Sequence, residues 1–327
     1  MGELLKVDRV TKTFKDQKGR SVCAVNDLSL VIEEGESVSV VGESGCGKST
    51  LARIITRIEK ETSGQVFFEG VNLSALRGRE LQKKRQHMQM VFQQPLSAIS
   101  PRMHIGTFLS IPLRNYQIKS PGEIPAEVDR LLEMVRLPVE YKDKYPHEVS
   151  GGELQRVMIA RAMAARPRLI LCDEATSALD VSVQQDIIQL LKDLNETKGV
   201  SYLFITHNLS LVHEISNRVI VMYQGKIMES MGSESIQRNA LHPYTKFLLS
   251  AIFTLKKDQS EAVEILDDAN DLEYEGCPFS PRCPLAGERC FHEQPALRPV
   301  GNENHFVACH IVQAANTENG TANAAQA

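Results

Sequence analysis

Gly42-Glu43-Ser44-Gly45-Cys46-Gly47-Lys48-Ser49-Thr50 lies between an apolar stretch, Ser37 to Val41, and a segment of helical character from Lys48 to Ile58. It fits G-x-x-x-x-G-K-[ST], in the strand-loop-helix setting that the pattern requires. Glycines let backbone N–H groups wrap a phosphate where a Cβ would clash. The helix N-terminus adds partial positive charge. Lys48 is suited to neutralise β- and γ-phosphates, and the Ser49 hydroxyl to ligate Mg²⁺. The expected phosphate cradle is Gly42, Ser44, Gly45, Gly47, Lys48, Ser49 and Thr50, with ATP and Mg²⁺ as its ligands. Cys46 holds a variable position and reads as a bystander, although a helix N-terminus can lower a thiol's pKa.

Downstream, Leu169-Ile170-Leu171-Cys172 is a continuous apolar run, as a parallel strand buried on both faces should be. It ends in Asp173-Glu174. Asp173 at the strand end suits a Mg²⁺ partner. Glu174, one residue further, suits a group that orients or deprotonates an attacking water. His207 follows the strand Tyr202 to Ile205, where it can contact a γ-phosphate. Glu174 and His207 are the catalytic candidates.

Val149-Ser150-Gly151-Gly152-Glu153-Leu154-Gln155-Arg156 is the most specific segment. Ser150 with Glu153 is an S-x-x-E capping box, which starts a helix. Two glycines in its first turn expose amides that suit an anion. Together with the phosphate loop and acidic strand end, this segment resembles the signature of ABC-transporter ATP-binding subunits. The resemblance covers about residues 3–255.

It implies an α/β fold: a P-loop NTPase (RecA-like) core with an antiparallel β subdomain and an α-helical subdomain at about 86–156. It implies that Ser150, Gly151 and Gly152 contact ATP held on a partner subunit's P-loop. Gln93, in Met90-Val91-Phe92-Gln93-Gln94-Pro95, resembles the glutamine that couples Mg²⁺ to the membrane subunits. Ser177-Ala178-Leu179-Asp180 resembles the loop that crosses the dimer, with Asp180 its acid. Phe14 takes the place of the aromatic that stacks on adenine; an ordinary strand Phe is the bland alternative. Glu153 stands where the family usually has Gln. Read as a cap, it folds back onto the Ser150 N–H and does not face phosphate.

Beyond about residue 256 the character changes to a small Cys- and Pro-rich extension, 256–312, then an Asn/Thr/Ala/Gln tail, 313–327, read as disordered. Cys277, Cys283, Cys290 and Cys309 have the spacing C-x5-C-x6-C-x18-C, which lacks the close pairs of zinc ribbons. Four thiolates of irregular spacing can hold a [4Fe–4S] cluster; zinc, or reduced free thiols, are the alternatives. The segment around these cysteines, and Leu241-His242-Pro243-Tyr244-Thr245-Lys246-Phe247, resemble the C-terminal region of oligopeptide and dipeptide importer ATPases, with nickel importers close relatives. In that family the four cysteines can carry an iron–sulfur cluster.

The bulk properties narrow the role. In 327 residues the net charge is −4, without the positive field of a nucleic-acid binder. The basic run Arg77 to His87 is interrupted by Glu80 and reads as a solvated face. No apolar run approaches the ~18–20 residues of a membrane span, and no signal peptide is evident. The resemblance therefore implies an ATPase on the cytoplasmic face of the membrane, powering uptake of di- or oligopeptides, or alternatively of nickel or a metal chelate. Its expected partners are a second, different ABC ATPase, two membrane permease subunits and an extracytoplasmic solute-binding protein, with no nucleic acid. A non-transport ABC ATPase of DNA repair or translation is disfavoured by the single cassette and mild acidity.

Overall fold

The computed structural model of the chain describes residues 2–15, 19–176, 179–253 and 275–313. Along Glu3–Lys15 (β1) and Ser21–Glu33 (β2) the burial alternates, with Val7, Val10, Leu28, Leu30 and Ile32 inward and Asp27 and Ser29 outward. That period of two suits antiparallel strands with one wet face. Ser37–Val41 (β3) differs in being buried at all five positions. Lys48–Ile55 (α1) follows the phosphate loop and buries Leu51, Ile54 and Ile55. Ser63–Phe68 (β4) and Val71–Asn72 (β5) complete a four-stranded sheet of order β2-β1-β4-β5.

Gly78–Gln86 (α2) carries the basic run; none of its residues is fully buried, but Lys84 pairs with Glu69 and Arg85 donates to the Thr56 and Arg57 carbonyl oxygens, so the run is only partly a solvated face. Met88–Val91 (β6) follows. The sequence placed the helical subdomain at about 86–156, but these four residues pair parallel with Leu169–Asp173 (β7) inside the main sheet. Ile105–Asn115 (α3), Ile124–Met134 (α4) and Gly151–Ala164 (α5) supply the helical layer. Their shared core includes Phe108, Leu109, Leu131, Leu132 and Val157. Val181–Lys198 (α6) packs on the same core and stops at Gly199, whose φ of 65° is the left-handed geometry of a helix C-cap.

Ser201–Thr206 (β8), Arg218–Tyr223 (β9) and Lys226–Gly232 (β10) follow, with the short helices Val212–Ile215 (α7) and Ile236–Asn239 (α8) between and after them. Pro243–Phe253 (α9) begins on its proline, as expected of a residue with no N–H to lose. The C-terminal part contributes Glu288–His292 (α10), Arg298–Val300 (β11) and Asn302–Val307 (β12). The main sheet is ordered β11-β12-β10-β9-β3-β8-β7-β6. From β9 to β6 it is parallel; β10, β12 and β11 add antiparallel pairs at one edge. Residues that the sequence set apart as a Cys-rich extension thus continue the main sheet. Residues 254–274, and the tail read as disordered from 314 onward, lie outside the described residues.

β10 is not evident in the sequence, because Glu229 and Ser230 interrupt its apolar run. Both are buried, Glu229 completely. The Glu229 carboxylate accepts from the Leu241 N–H (2.8 Å) and the His242 N–H (3.2 Å), and pairs with His305 Nε2 at 2.7 Å. A buried charge persists only when its lone pairs are taken up in this way. It therefore pins β12 and the start of α9 to β10. Burial pushes its pKa up, but the bonds from His305 and the two backbone N–H groups hold it below the usual carboxylate range.

Because its folded pKa is depressed, Glu229 contributes stability at neutral pH that is lost as pH falls through the acid range. Glu229→Ala should cost about 3–5 kcal/mol in denaturant melts. It should also speed hydrogen exchange in 302–307 before the rest of the sheet.

Candidate active site

Strands β3, β6, β7 and β8 are parallel, so their C-terminal ends share one edge of the sheet. The register sets Val41 beside Thr206, Ile205 beside Asp173 and Cys172 beside Val91. The residues that follow these ends are Gly42, His207, Glu174 and Phe92-Gln93. Open parallel sheets bind ligands at this edge.

The phosphate loop is tightly enclosed. Gly42 has φ 154°, and a Cβ there would stand 2.1 Å from the Met222 carbonyl oxygen. Gly47 has φ 105°, and its Cβ would stand 1.9 Å from the Ala24 carbonyl oxygen. No other residue fits either position. Lys48 is buried, and its Nζ donates to the carbonyl oxygens of Gly42 and Glu43, both at 2.8 Å. Ser44 and Gly45 form the exposed rim, and Thr50 is half-buried on α1.

Ser49 Oγ donates to Asp173 Oδ1 at 2.9 Å, joining the loop to the acidic strand end. Burial lifts the Asp173 carboxyl above its ordinary range, against the Ser49 hydroxyl and with the neighbouring Glu174 charge adding to the rise. Burial raises the Cys46 thiol pKa and outweighs Lys48, whose Nζ lies 3.6 Å from the sulfur.

Glu174 is half-buried in the left-handed region, φ 49°, with its N–H donating to the Ile205 carbonyl oxygen at 2.9 Å. A non-glycine residue there costs roughly 1–3 kcal/mol and persists where its surroundings fix it. Two residues from separate strand ends reach its carboxylate. Gln93 Nε2 donates to Oε2 at 2.9 Å, and His207 Nδ1 lies 3.2 Å from Oε1. The second contact requires the imidazole proton on Nδ1. The edge therefore gathers Lys48, Ser49, Gln93, Asp173, Glu174 and His207, which the sequence scatters over 160 positions.

Phe14 is 39% exposed on β1, with the Lys12 ammonium 4.7 Å from its ring centre. It pairs with Val22, two positions from the Ala24 that abuts Gly47. Asp180 is exposed at the start of α6, beside Leu179; Ser177 and Ala178 lie outside the described residues.

The Ser150 segment stays apart from this group. Ser150 and Glu153 cap their own helix start, with Glu153 N–H donating to Ser150 Oγ (3.3 Å) and Ser150 N–H to Glu153 Oε2 (2.7 Å). Tyr141 Oη donates to the other Glu153 oxygen at 2.6 Å. Tyr141 and the Ser150 N–H hold the Glu153 carboxyl below the usual range. Gly152 has a second reason to be glycine, since a Cβ would meet Val183 Cγ1 at 2.3 Å.

Sequence reasoning missed Tyr244, whose Oη accepts from the Glu43 N–H in the phosphate loop at 2.9 Å. Only the His-Pro-Tyr string around it drew notice. His242 is buried, its pKa pushed down to about 4 by burial, and its neutral Nδ1 accepts from the Tyr244 N–H at 3.0 Å.

Cys277, Cys283, Cys290 and Cys309 line one small, mostly apolar pocket together with His242 and Phe279. Burial pushes the Cys277 thiol up to about 12, and raises Cys283 and Cys309 as well. All seven cysteines are free of disulfides. Among the described residues, no three His, Cys, Asp or Glu side chains are arranged to hold a metal ion. The four cysteines thus share a pocket without forming a ready ligand set.

Residues 25–177 match the ABC transporter family, and residues 228–290 match the oligopeptide/dipeptide transporter C-terminal region. The probable peptide ABC transporter ATP-binding protein y4tS of Sinorhizobium fredii is 41% identical over 94% of this chain and 90% of its own length. The chain belongs to the ATP-binding subunits of ABC transporters. It is accordingly an ATPase. The oligopeptide transport ATP-binding protein OppF of Escherichia coli is 40% identical over 90% of the chain and 89% of its own length. Among solved structures, the ATP-binding cassette MJ0796, in a dimeric post-hydrolysis state bound to ADP and Pi, superposes with a TM-score of 0.65. It is 33% identical, covering 70% of this chain and 99% of that one. Among the described residues no helix is long and apolar enough to cross a membrane.

Glu153→Gln in this subunit should keep the cap and the Tyr141 contact. Its ATPase rate should stay within about threefold of the parent, since the cap itself is worth only ~1 kcal/mol. A sharp rise in phosphate release would instead mean that the Glu153 charge repels nucleotide.

Proposed function

We propose that this chain hydrolyses ATP to drive a peptide importer, and that Glu174 is the group that readies the attacking water. The observation that carries the reading is the Glu174 carboxylate, held at the sheet edge by Gln93 and His207 beside the Ser49–Asp173 pair. Lys48 would leave its two carbonyl partners for the β- and γ-phosphates. Ser49 and Gln93 would hold Mg²⁺, with Asp173 behind them; their oxygens suit a hard cation, which when bound offsets phosphate charge. Glu174 would take up or orient the water's proton. His207, tied to it, would contact the γ-phosphate. Phe14, exposed near the loop, would stack on adenine.

Each site would be composite. Ser150 and Glu153 cap this helix, and the amides of Gly151 and Gly152 in its first turn would face an anion. They would meet ATP held by a second cassette, with Asp180 at the crossing. A dimeric solved relative supports this arrangement. The second cassette would be a related but different subunit, docked with it on two permease subunits that receive solute from an extracytoplasmic binding protein. The subunit would then sit at the cytoplasmic face of the membrane.

Peptides are favoured over nickel by the names of the relatives, oligopeptide transport proteins among them, and by the C-terminal family match. Fold alone does not choose a solute. The cassette, 1–255, and the Cys-rich segment, 256–312, would act as one unit, since β12 of the second pairs with β10 of the first.

The shared pocket of Cys277, Cys283, Cys290 and Cys309 supports a [4Fe–4S] cluster held by those thiolates. When bound, the cluster would supply one-electron chemistry and a covalent staple for a segment with little core of its own.

Glu174→Gln should lower phosphate release at least about 100-fold while MgATP still binds. In cells it should stop peptide uptake and leave metal-chelate uptake unchanged. Retained hydrolysis would falsify the assignment of Glu174. Protein purified without oxygen should contain about four iron and four sulfide per chain, lost on replacing Cys290 by Ser; stoichiometric zinc without iron would rule the cluster out.

A further inference from the structure

Glu43, inside the phosphate loop, is held at three of its groups. Its N–H donates to Tyr244 Oη at 2.9 Å, and its carbonyl oxygen accepts from Lys48 Nζ at 2.8 Å. Its carboxylate is gripped by Arg282, Nη1 to Oε2 at 2.9 Å and Nη2 to Oε1 at 3.1 Å. Arg282 lies 239 residues further along the chain, immediately before Cys283. Two parallel N–H···O bonds make this the strongest and most oriented form of ion pair.

The guanidinium is itself positioned. Its Nη1 lies 3.3 Å from Tyr223 Oη, and its centre is 5.5–5.9 Å from the rings of Phe247, Tyr223 and Phe279. Phe279 in turn packs edge-on to Tyr223, with ring centres 5.4 Å apart. The C-terminal segment thus reaches directly into the nucleotide site.

A carboxylate within a phosphate cradle is a liability, because like charges at short range repel. The loop can carry Glu43 only if that charge is offset. Arg282 is the cation that offsets it. The same contact fixes the residue whose carbonyl oxygen holds Lys48.

We propose that Arg282 is a positioning residue of the nucleotide site, neutralising Glu43 and holding the loop turn that presents Lys48. This rests on the reading of the loop as the ATP site. It makes the C-terminal segment part of the ATPase rather than an appendage.

The test is MgATP affinity and steady-state hydrolysis of the full-length chain. Arg282→Ala should weaken MgATP binding and raise KM about three- to tenfold, a range set by a partly exposed ion pair. kcat at saturation should change little, since Gln93, Asp173, Glu174 and His207 keep their contacts. The KM difference should shrink as NaCl is raised, because salt screens the unmasked charge. Arg282→Lys should recover part of the loss. Adding Glu43→Gln to Arg282→Ala should recover most of it, by removing the charge that Arg282 had balanced.

Unchanged affinity in Arg282→Ala would overturn the proposal. So would a double variant as weak as Arg282→Ala alone, which would assign the loss to packing. A parent chain that does not bind MgATP would instead overturn the ATP-site reading, and this proposal with it.

Discussion

Two backbone approaches govern this molecule. Gly42 presses on the Met222 carbonyl of β9, and Gly47 on the Ala24 carbonyl of β2. Each contact tolerates no Cβ, so the loop closes only where both sheets bring their strands up to it. The loop is thereby wedged between the antiparallel sheet and the parallel one. Its amides and Lys48 gain a fixed geometry before any nucleotide arrives, and preorganised donors are what make such a cradle effective.

The edge that gathers Gln93, Glu174 and His207 depends on that placement. β3 is buried at every position between β8 and β9, and the parallel register brings the ends of β6, β7 and β8 level with it. Glu174 can then receive Gln93 and His207 from separate strand ends. Its left-handed backbone turns the carboxylate toward them. The strain is local and the reward is shared, since one carboxylate organises three elements.

The C-terminal part is bound to the same frame by charge as well as by strand pairing. Glu229 holds β12 and the start of α9, and α9 carries Tyr244 to the loop. Arg282, next in sequence to Cys283 of the cysteine pocket, reaches Glu43. Burial of Glu229 and the exposure-limited pair at Arg282 have different weights. The first would leave an uncompensated interior charge if broken, whereas the second is softened by solvent.

Much of the site was legible from sequence. A phosphate loop, an acidic strand end and a capped glycine pair are local patterns, because each meets its chemical need within a few residues. The capping of Ser150 by Glu153 is one such case. Other features were not legible. Met88–Val91 is too short to distinguish strand from helix by period, and β10 hides behind the buried Glu229 and Ser230. The raised Cys46 thiol was not legible either, because burial, which only the fold supplies, outweighs the neighbouring Lys48. Gly152 looked like a bare amide for phosphate, yet Val183 also forbids a side chain there.

Local sequence carried the phosphate-loop pattern, the acidic end of β7 and the family the chain joins. Only the tertiary structure decided that Gln93 and His207 converge on Glu174, and that Arg282 answers Glu43 across 239 positions. Motifs record what neighbours along the chain must do. Charge compensation between distant segments leaves no periodic trace, since any surface position can supply the partner once the fold brings it near.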